Sequence, residues 1–454
     1  MSDSAYDPNE AEETVKRVRE AFAQRSGADR TEESPDDQPK HSSKFNFGTL
    51  PEYEILRIHR AAGDIAGIEN PFYRMHEGRA ADTTFMDGRE LINFSSYDYL
   101  GLNGHPEVAT AAKSAIDLYG TSVSASRLTA GERKIYRDLE IALAGLHGVE
   151  DAVSFVSGHA TNVSVIGGLL GAEDLVVSDA LIHNSVVEGA KLSGAKRILC
   201  AHGDIDAMER TLRLNRARHR RALIIVEGLY SMDGDVPDLA ALIRLKRRYD
   251  AWLMVDEAHS LGVLGSSGRG IAEEQGVDPT DVDIWMGTLS KTLAAAGGYI
   301  AGSQHLVELL KYTTPGFVYS VGASPPVVAA ACAAIHVLQR EKWRVTKLRQ
   351  NGAEFLAGAK ARGLNTGLSI GASVVPVIVG SSPSAVILSQ RLSVRGYNVV
   401  PIIFPGVAEN QSRLRFFITS RHDQKQIEGV LDAVAEELPK IRSAPSFVSL
   451  MAGR

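Results

Sequence analysis

Two cysteines, Cys200 and Cys332, are all that 454 residues contain. That excludes a disulfide framework and fits a reducing compartment, so a cytoplasmic location is expected. There is no long basic run, and the formal net charge is -6, from 49 basic against 55 acidic side chains. Nucleic-acid binding is therefore disfavoured as the main activity. No apolar run reaches the length of a bilayer span, and no transmembrane segment is expected. The opening "MSDSAYDPNEAEE" is acidic and lacks an apolar core, which argues against a signal peptide. No Gly-Lys dipeptide occurs anywhere, so the phosphate loop G-x-x-x-x-G-K-[ST] is missing. That absence decides one ambiguity. "VDEAH", ending at His259, also reads as the acidic box of a nucleotide-driven helicase, and such a protein needs the missing loop.

What is present is ordinary for a globular chain: 44% hydrophobic and 23% charged residues. The length suggests one large domain and a smaller one. Residues 1–45 are polar, acidic and rich in breakers, and read as a disordered arm. A short helix is conceivable there, with Val15, Val18 and Phe22 on one face. Residues 46–98 read as an N-terminal segment, 99–339 as the large domain and 340–454 as a small C-terminal α+β domain. Helical patterns come first, in "PEYEILRIHRAAGDIAG", "PEVATAAKSAIDLYG" and "GERKIYRDLEIALAGLHG". Short apolar strands then alternate with helices: "AVSFVS", "RALIIVEG" and "AWLMVDE". Continuous apolar strands separated by helices mean a mainly parallel sheet covered on both faces. Beyond residue 340, strands are expected near "SVVPVIVG" and "RLRFFITS", with a closing helix "DQKQIEGVLDAVAEEL".

Ligands of an open parallel sheet sit beyond the carboxyl ends of its strands. Gly158 and His159 follow "AVSFVS" and open a helix, whose free N–H groups can hold a phosphate. "EGLYSMDGD" brings Ser231 to the same edge. Asp256 closes an apolar strand, where a carboxylate must be paired or hydrogen-bonded. "DIWMGTLSK" delivers Thr288, Ser290 and Lys291, and His183 follows another apolar segment. A lysine, a carboxylate, a flat histidine and a phosphate cradle are together what pyridoxal phosphate needs. The lysine forms a Schiff base with the aldehyde, and the aspartate keeps the pyridinium nitrogen protonated. The small residues after Lys291, "TLAAAGGYIAG", would leave the cofactor room. No metal ion is expected.

In these motifs the chain resembles the α-oxoamine synthases among the fold-type-I pyridoxal-phosphate enzymes. That family includes serine palmitoyltransferase, 8-amino-7-oxononanoate synthase, 5-aminolevulinate synthase and 2-amino-3-ketobutyrate CoA ligase. The resemblance rests on "INFSSYDYLGL", "SGHATN", "IHNSVVEGA", "VEGLYSMDGD", "VDEAHSLGVLGSSGRG", "GTLSKTLAAAGGY" and "RLRFFIT", in family order over roughly residues 50 to 440. It implies a large α/β domain, a small C-terminal domain and a homodimer with the active site at the interface. It implies that Lys291 is the Schiff-base lysine and the base that takes the substrate Cα proton. Asp256 matches the pyridinium partner. His259 matches the donor to the ring hydroxyl, helped by Ser231, and His183 the histidine stacked on the ring. Gly158, His159, Thr288 and Ser290 match the phosphate cradle, with Ser320 contributed by a partner subunit. Arg415 matches the arginine that holds the amino-acid carboxylate. Three positions depart from the pattern. Position 97 is tyrosine where many members have asparagine, though serine palmitoyltransferase has tyrosine, and Tyr97 is read as substrate-binding. His159 replaces an aromatic residue, and Gly322 stands where a second phosphate hydroxyl is common.

The implied reaction is a decarboxylative condensation of a small amino acid with an acyl thioester, giving an α-amino ketone and CO₂. An aminotransferase would use the same lysine and aspartate without the thioester, and a non-catalytic partner subunit would lack the machinery. The acyl group is expected on CoA or on an acyl carrier protein, the carrier being used at least as well. The stretch "FGTLPEYEILRIHRAAGDIAGIENPFYRMHEGRA" resembles the entry to oxoamine-synthase domains of polyketide assembly lines. A carrier could dock on the arm or on the basic segment Arg213 to Arg221.

Overall fold

The computed structural model describes residues 46–442. The acidic arm and its Val15/Val18/Phe22 face lie outside the described residues. By proximity the chain forms two compact units, Met1–Ala62 and Gly63–Arg454. Within the first, a single turn at Phe47–Thr49 precedes the start of the helix Pro51–Ala66. Pro51 opens that helix, where its missing N–H costs nothing.

The second unit is built on a seven-stranded sheet. Two short strands come before it, β1 (Thr83–Met86) and β2 (Arg89–Asn93). The sheet then takes β3 (Asp151–Phe155), β4 (Leu175–Asp179), β5 (Lys196–Cys200), β6 (Ala222–Glu227), β7 (Trp252–Asp256), β8 (Ile284–Thr288) and β9 (Gly298–Gly302). Their spatial order is β3-β9-β8-β7-β6-β4-β5. Pairing is parallel except at β9, which runs antiparallel to both β3 and β8.

The apolar alternation along each strand serves two cores. In β6, Leu223 and Ile225 join one buried cluster while Ile224 and Val226 join the other. In β7, Met254 takes the first side and Leu253 and Val255 the second. Period-2 alternation then decides where the polar strand ends point. Glu227, Asp256 and Thr288 continue the face of Ile225, Met254 and Met286. Helices Gly158–Leu169 and Asn184–Ser193 pack into that same core through Val165, Ile166, Val186 and Ala190. The polar ends thus emerge beside the N-termini of these helices.

The small-residue run after Lys291 has a role that the sequence did not suggest. It turns back as β9, and its double glycine is needed for packing. A Cβ on Gly298 would come within 2.4 Å of Thr161 Oγ1 and 2.7 Å of the Gly158 Cα. Strand and helix start can meet only because both residues are bare.

Beyond the main sheet, β10 (Val374–Gly380) and β13 (Ser412–Phe417) pair antiparallel, with β12 (Pro401–Ile402) on the outer side of β13. These contain the two strands expected after residue 340. A further sheet joins β1, β2 and β11 (Tyr397–Asn398), so the segment before residue 98 pairs with the C-terminal part of the chain. The closing helix runs Gln424–Arg442. Among the described residues no helix is long and apolar enough to cross a membrane.

Candidate active site

A cavity of about 470 Å³ opens at the carboxyl ends of β6, β7 and β8. Its lining includes Tyr97, Gly158, His159, His183, Ser231, Asp256, His259, Thr288, Ser290, Lys291 and Arg415. The fold therefore brings together every predicted site residue but one. Ser320 follows the short helix Pro315–Val318, bonds the Val321 carbonyl at 3.2 Å and is not part of this lining.

Register explains the acidic floor. Glu227 of β6 pairs directly with Asp256 of β7, so two carboxyl groups stand side by side. Asp256 is held from both sides: Oδ1 accepts from the Ala258 N–H at 3.0 Å and Oδ2 from Asn162 Nδ2 at 2.9 Å. Those two bonds fix the orientation of its carboxyl group. Glu227 differs. Burial, with the Asp256 charge next to it, pushes its carboxyl up to about 8. Its Oε2 accepts the Ser231 N–H at 2.9 Å, while Oε1 is buried with no partner among the described residues. A dry site and a neighbouring carboxyl both favour the protonated form of Glu227.

Lys291 follows β8 and reaches over the cavity. Burial lowers its ammonium to about 8, against the opposing pull of Asp256 and Glu227, while Arg415 adds to the lowering. Its Nζ lies 5.7 Å from the centre of the Tyr97 ring. The lysine is thus a buried amine poised near neutrality, as a nucleophile or base must be.

Two histidines face the cavity with fixed tautomers. His183 caps the helix Asn184–Ser193, with Nδ1 accepting from the Ser185 N–H at 3.3 Å and lying 2.7 Å from its hydroxyl. The Ser185 hydroxyl accepts from Asn162 Nδ2 at 2.9 Å, so Asn162 links Asp256 to His183 through one serine. His259 Nδ1 lies 2.7 Å from the buried Tyr99 hydroxyl. Burial holds the Tyr99 phenol well above its ordinary value, so it keeps a proton that it can donate to Nδ1. The His259 proton is then assigned to Nε2. Burial first, and then Lys291 and Arg415, hold His259 well below an ordinary histidine, which keeps it neutral.

The far end of the cavity is a cradle. A Cβ at residue 158 would sit 2.9 Å from Thr288 Oγ1, so only glycine brings the helix start this close. The first N–H groups of a helix have no partner inside it, and they attract an anion. Thr288 and Ser290 bond each other at 2.7 Å beside it. Gly322 is far from offering a hydroxyl: a side chain there would strike the Tyr136 hydroxyl at 2.5 Å. On the opposite side, the Arg415 Nη1 donates to the Ser231 carbonyl at 2.9 Å, and its Cζ lies 4.6 Å from the centre of the Phe417 ring. Its Nε is buried with no partner among the described residues. Arg413 is already taken, in an ion pair with Asp233 at 2.8 Å.

The cradle, the paired carboxyls and the orphaned Glu227 and Arg415 atoms fit a phosphorylated pyridine and a carboxylate substrate. Comparison with known proteins agrees. The family described as aminotransferase class I and II matches residues 89–434. An 8-amino-7-oxononanoate synthase of Geobacter sulfurreducens is 39% identical over 363 residues, covering 79% of this chain and 91% of its own. One from Bacillus velezensis is 36% identical over 361 residues, covering 79% and 91%. Among solved structures, the serine palmitoyltransferase of Sphingomonas wittichii superposes with a TM-score of 0.83 at 28% identity, over 87% of this chain and all of its own. The S. paucimobilis enzyme, solved with a bound PLP–myriocin aldimine, also gives 0.83, at 26% identity and the same coverage.

The chain belongs to the α-oxoamine synthase family.

This synthase is a fold-type-I pyridoxal-phosphate enzyme and an acyltransferase. Its reaction class is the decarboxylative condensation of an amino acid with an acyl thioester. Three lining or supporting residues escaped the sequence reading, although each lay inside a quoted motif. Glu227 opens "EGLYSMDGD", Asn162 closes "SGHATN" and Tyr99 sits in "SSYDYLGL". For Glu227 and Asn162 the position on strand or helix was the available signal, since an isolated polar residue on an otherwise buried face needs a partner; Tyr99 lies in a turn and offered none.

Proposed function

We propose that Lys291, Asp256, His259, His183 and Arg415 carry the reaction, with pyridoxal phosphate seated between the Gly158 helix start and Asp256. One observation supports this above the rest: a buried lysine near neutrality shares one cavity with two adjacent carboxyls and a helix N-terminus. The cofactor, when bound, supplies the electron sink that makes an amino-acid Cα–H acidic. Gly158 and His159 N–H groups, Thr288 and Ser290 hold its phosphate. Asp256 keeps the ring nitrogen protonated. His259 donates Nε2–H toward the ring hydroxyl with Ser231 beside it, and His183 packs against the ring face. Arg415 pairs with the substrate carboxylate, and Tyr97, in the same lining, contacts the substrate. Lys291 Nζ, neutral in part at physiological pH, takes the Cα proton and later returns one.

The active unit is read as a cytoplasmic homodimer, Ser320 reaching the phosphate of the neighbouring copy. Its position outside its own cavity supports that assignment. The organisation into 46–98, 99–339 and 340–454 is likewise proposed, the last boundary falling at the final residue of the helix Pro325–Arg340, just before the helix Trp343–Ala361.

The decisive experiment is Lys291→Ala. It should abolish the borohydride-reducible attachment of cofactor while the protein stays folded. Retention of that adduct at wild-type level overturns the assignment. Mass spectrometry of products from mixed amino acids and a panel of acyl thioesters identifies the substrates, and an aminotransferase would form product without the thioester. For the donor, kcat/KM for one acyl group on CoA and on a carrier protein decides, repeated without residues 1–45. In the basic segment, Arg216, Arg220 and Arg221 already serve the chain's own carbonyls and carboxylates. A clear preference for CoA removes the carrier reading.

A further inference from the structure

A half-buried histidine outside the cavity has no part in the chemistry described. His202 follows β5 and is wedged between two carboxylates. Its Nδ1 is 3.0 Å from Asp179 Oδ1 and its Nε2 is 2.9 Å from Asp235 Oδ2. An ionised carboxylate only accepts, so both ring nitrogens must donate and the ring is an imidazolium. The two contacts hold its pKa up to about 10 against burial. The Tyr230 ring closes the site edge-on, 4.5 Å away at 85°.

Each carboxylate organises a different loop of the active site. Asp179 ends β4, and its Oδ1 also accepts the Leu181 N–H at 2.7 Å, two residues before His183. Its Oδ2 accepts the Gly203 N–H at 2.9 Å, which ties the His202 segment to the same strand end. Asp235 closes the turn after β6, where the Tyr230 N–H donates to the Asp235 carbonyl at 2.9 Å and the Gly234 N–H to the Tyr230 carbonyl at 2.8 Å. That turn supplies the Ser231 carbonyl to Arg415 and pairs Asp233 with Arg413. The turn is therefore pinned on one side by Arg413 and on the other by His202.

We propose that His202 is a positioning residue: by bridging Asp179 and Asp235 it fixes the His183 loop and the Ser231 turn against each other, and through Ser231 it sets where Arg415 meets the amino acid. The proposal rests on the role of Arg415 given above.

The test uses the full-length, cofactor-loaded enzyme as His202→Ala and Asp235→Asn, with Arg415→Ala in parallel. Asp235→Asn keeps the shape of the site if the first variant folds poorly. The expected result is an amino-acid KM raised about tenfold in both variants, with the thioester KM changed less than about twofold, because a small misplacement of a clamp costs this much. Hydrogen–deuterium exchange should quicken in both 181–185 and 228–235 and not across the sheet. Exchange unchanged in either loop, or quickened uniformly, overturns the proposal. So does an unchanged amino-acid KM in these variants while Arg415→Ala raises it. If Arg415→Ala itself leaves that KM unchanged, the assignment of Arg415 fails. Paired quickening of the two loops then still upholds the bridge by His202, and its absence refutes it.

Discussion

Consider Lys291 in the protein prepared without cofactor. Its ammonium is lowered from the ordinary 10.5 to about 8, chiefly by burial. At pH 7 a lysine of pKa 8 is neutral roughly one time in ten, and one of pKa 10.5 about one time in 3,000, a ratio of about 300. The corresponding cost of keeping the ammonium buried below pH 8 is about 3 kcal/mol. The sign follows. The folded chain releases this proton before the unfolded chain does, so this group's contribution to stability rises with pH between about 8 and 10.5. The assay is competitive acylation by an uncharged amine-reactive reagent, with the Lys291 peptide quantified by mass spectrometry across pH 6 to 11, a range of about five units spanning both values. The labelling midpoint should fall near 8. Asp256→Asn removes a charge that holds the proton on, and should move the midpoint down. Arg415→Met removes one that drives it off, and should move it up. A midpoint near 10.5, or both variants moving it the same way, would refute the reasoning that burial primes this amine.

Asp256→Asn should leave cofactor bound yet lower kcat by orders of magnitude, roughly 10³-fold or more, because an amide cannot keep the ring nitrogen charged; near wild-type turnover contradicts it. Arg415→Ala should raise the amino-acid KM about 10²-fold, the worth of a desolvated guanidinium–carboxylate pair. Arg413 cannot take over, since Asp233 holds it, and steady-state kinetics in the amino acid decide. Tyr99→Phe should free the His259 tautomer, lowering kcat about tenfold and stability by about 1 kcal/mol; denaturant titration and turnover measured together check both. Glu227→Gln should leave the pH profile between about 7 and 9 without the limb due to a carboxyl near 8, which profiles of the two enzymes side by side would reveal.

The parallel α/β core was legible because its cause is local. Strands such as "ALIIVE" and "WLMVD" are apolar on both faces, which only a covered parallel sheet tolerates. Lys291, Asp256 and His259 were legible as a set because strand ends deliver side chains to one edge. β9 was not, since "GYIAG" has weak strand propensity and exists through pairing with β3 and β8 on either side. Nor was the β1–β2–β11 sheet, whose partners lie some three hundred positions apart. Long-range register also hid what surrounds the groups proposed as catalytic. That Glu227 stands beside Asp256 and stays protonated, that Asn162 joins Asp256 to His183, and that His202 bridges two loops all depend on which strands are neighbours. Sequence by itself determined which residue types reach the edge of the sheet. Tertiary structure alone decided their charge states, because a pKa or a tautomer is set by burial and by contacts that no local pattern encodes.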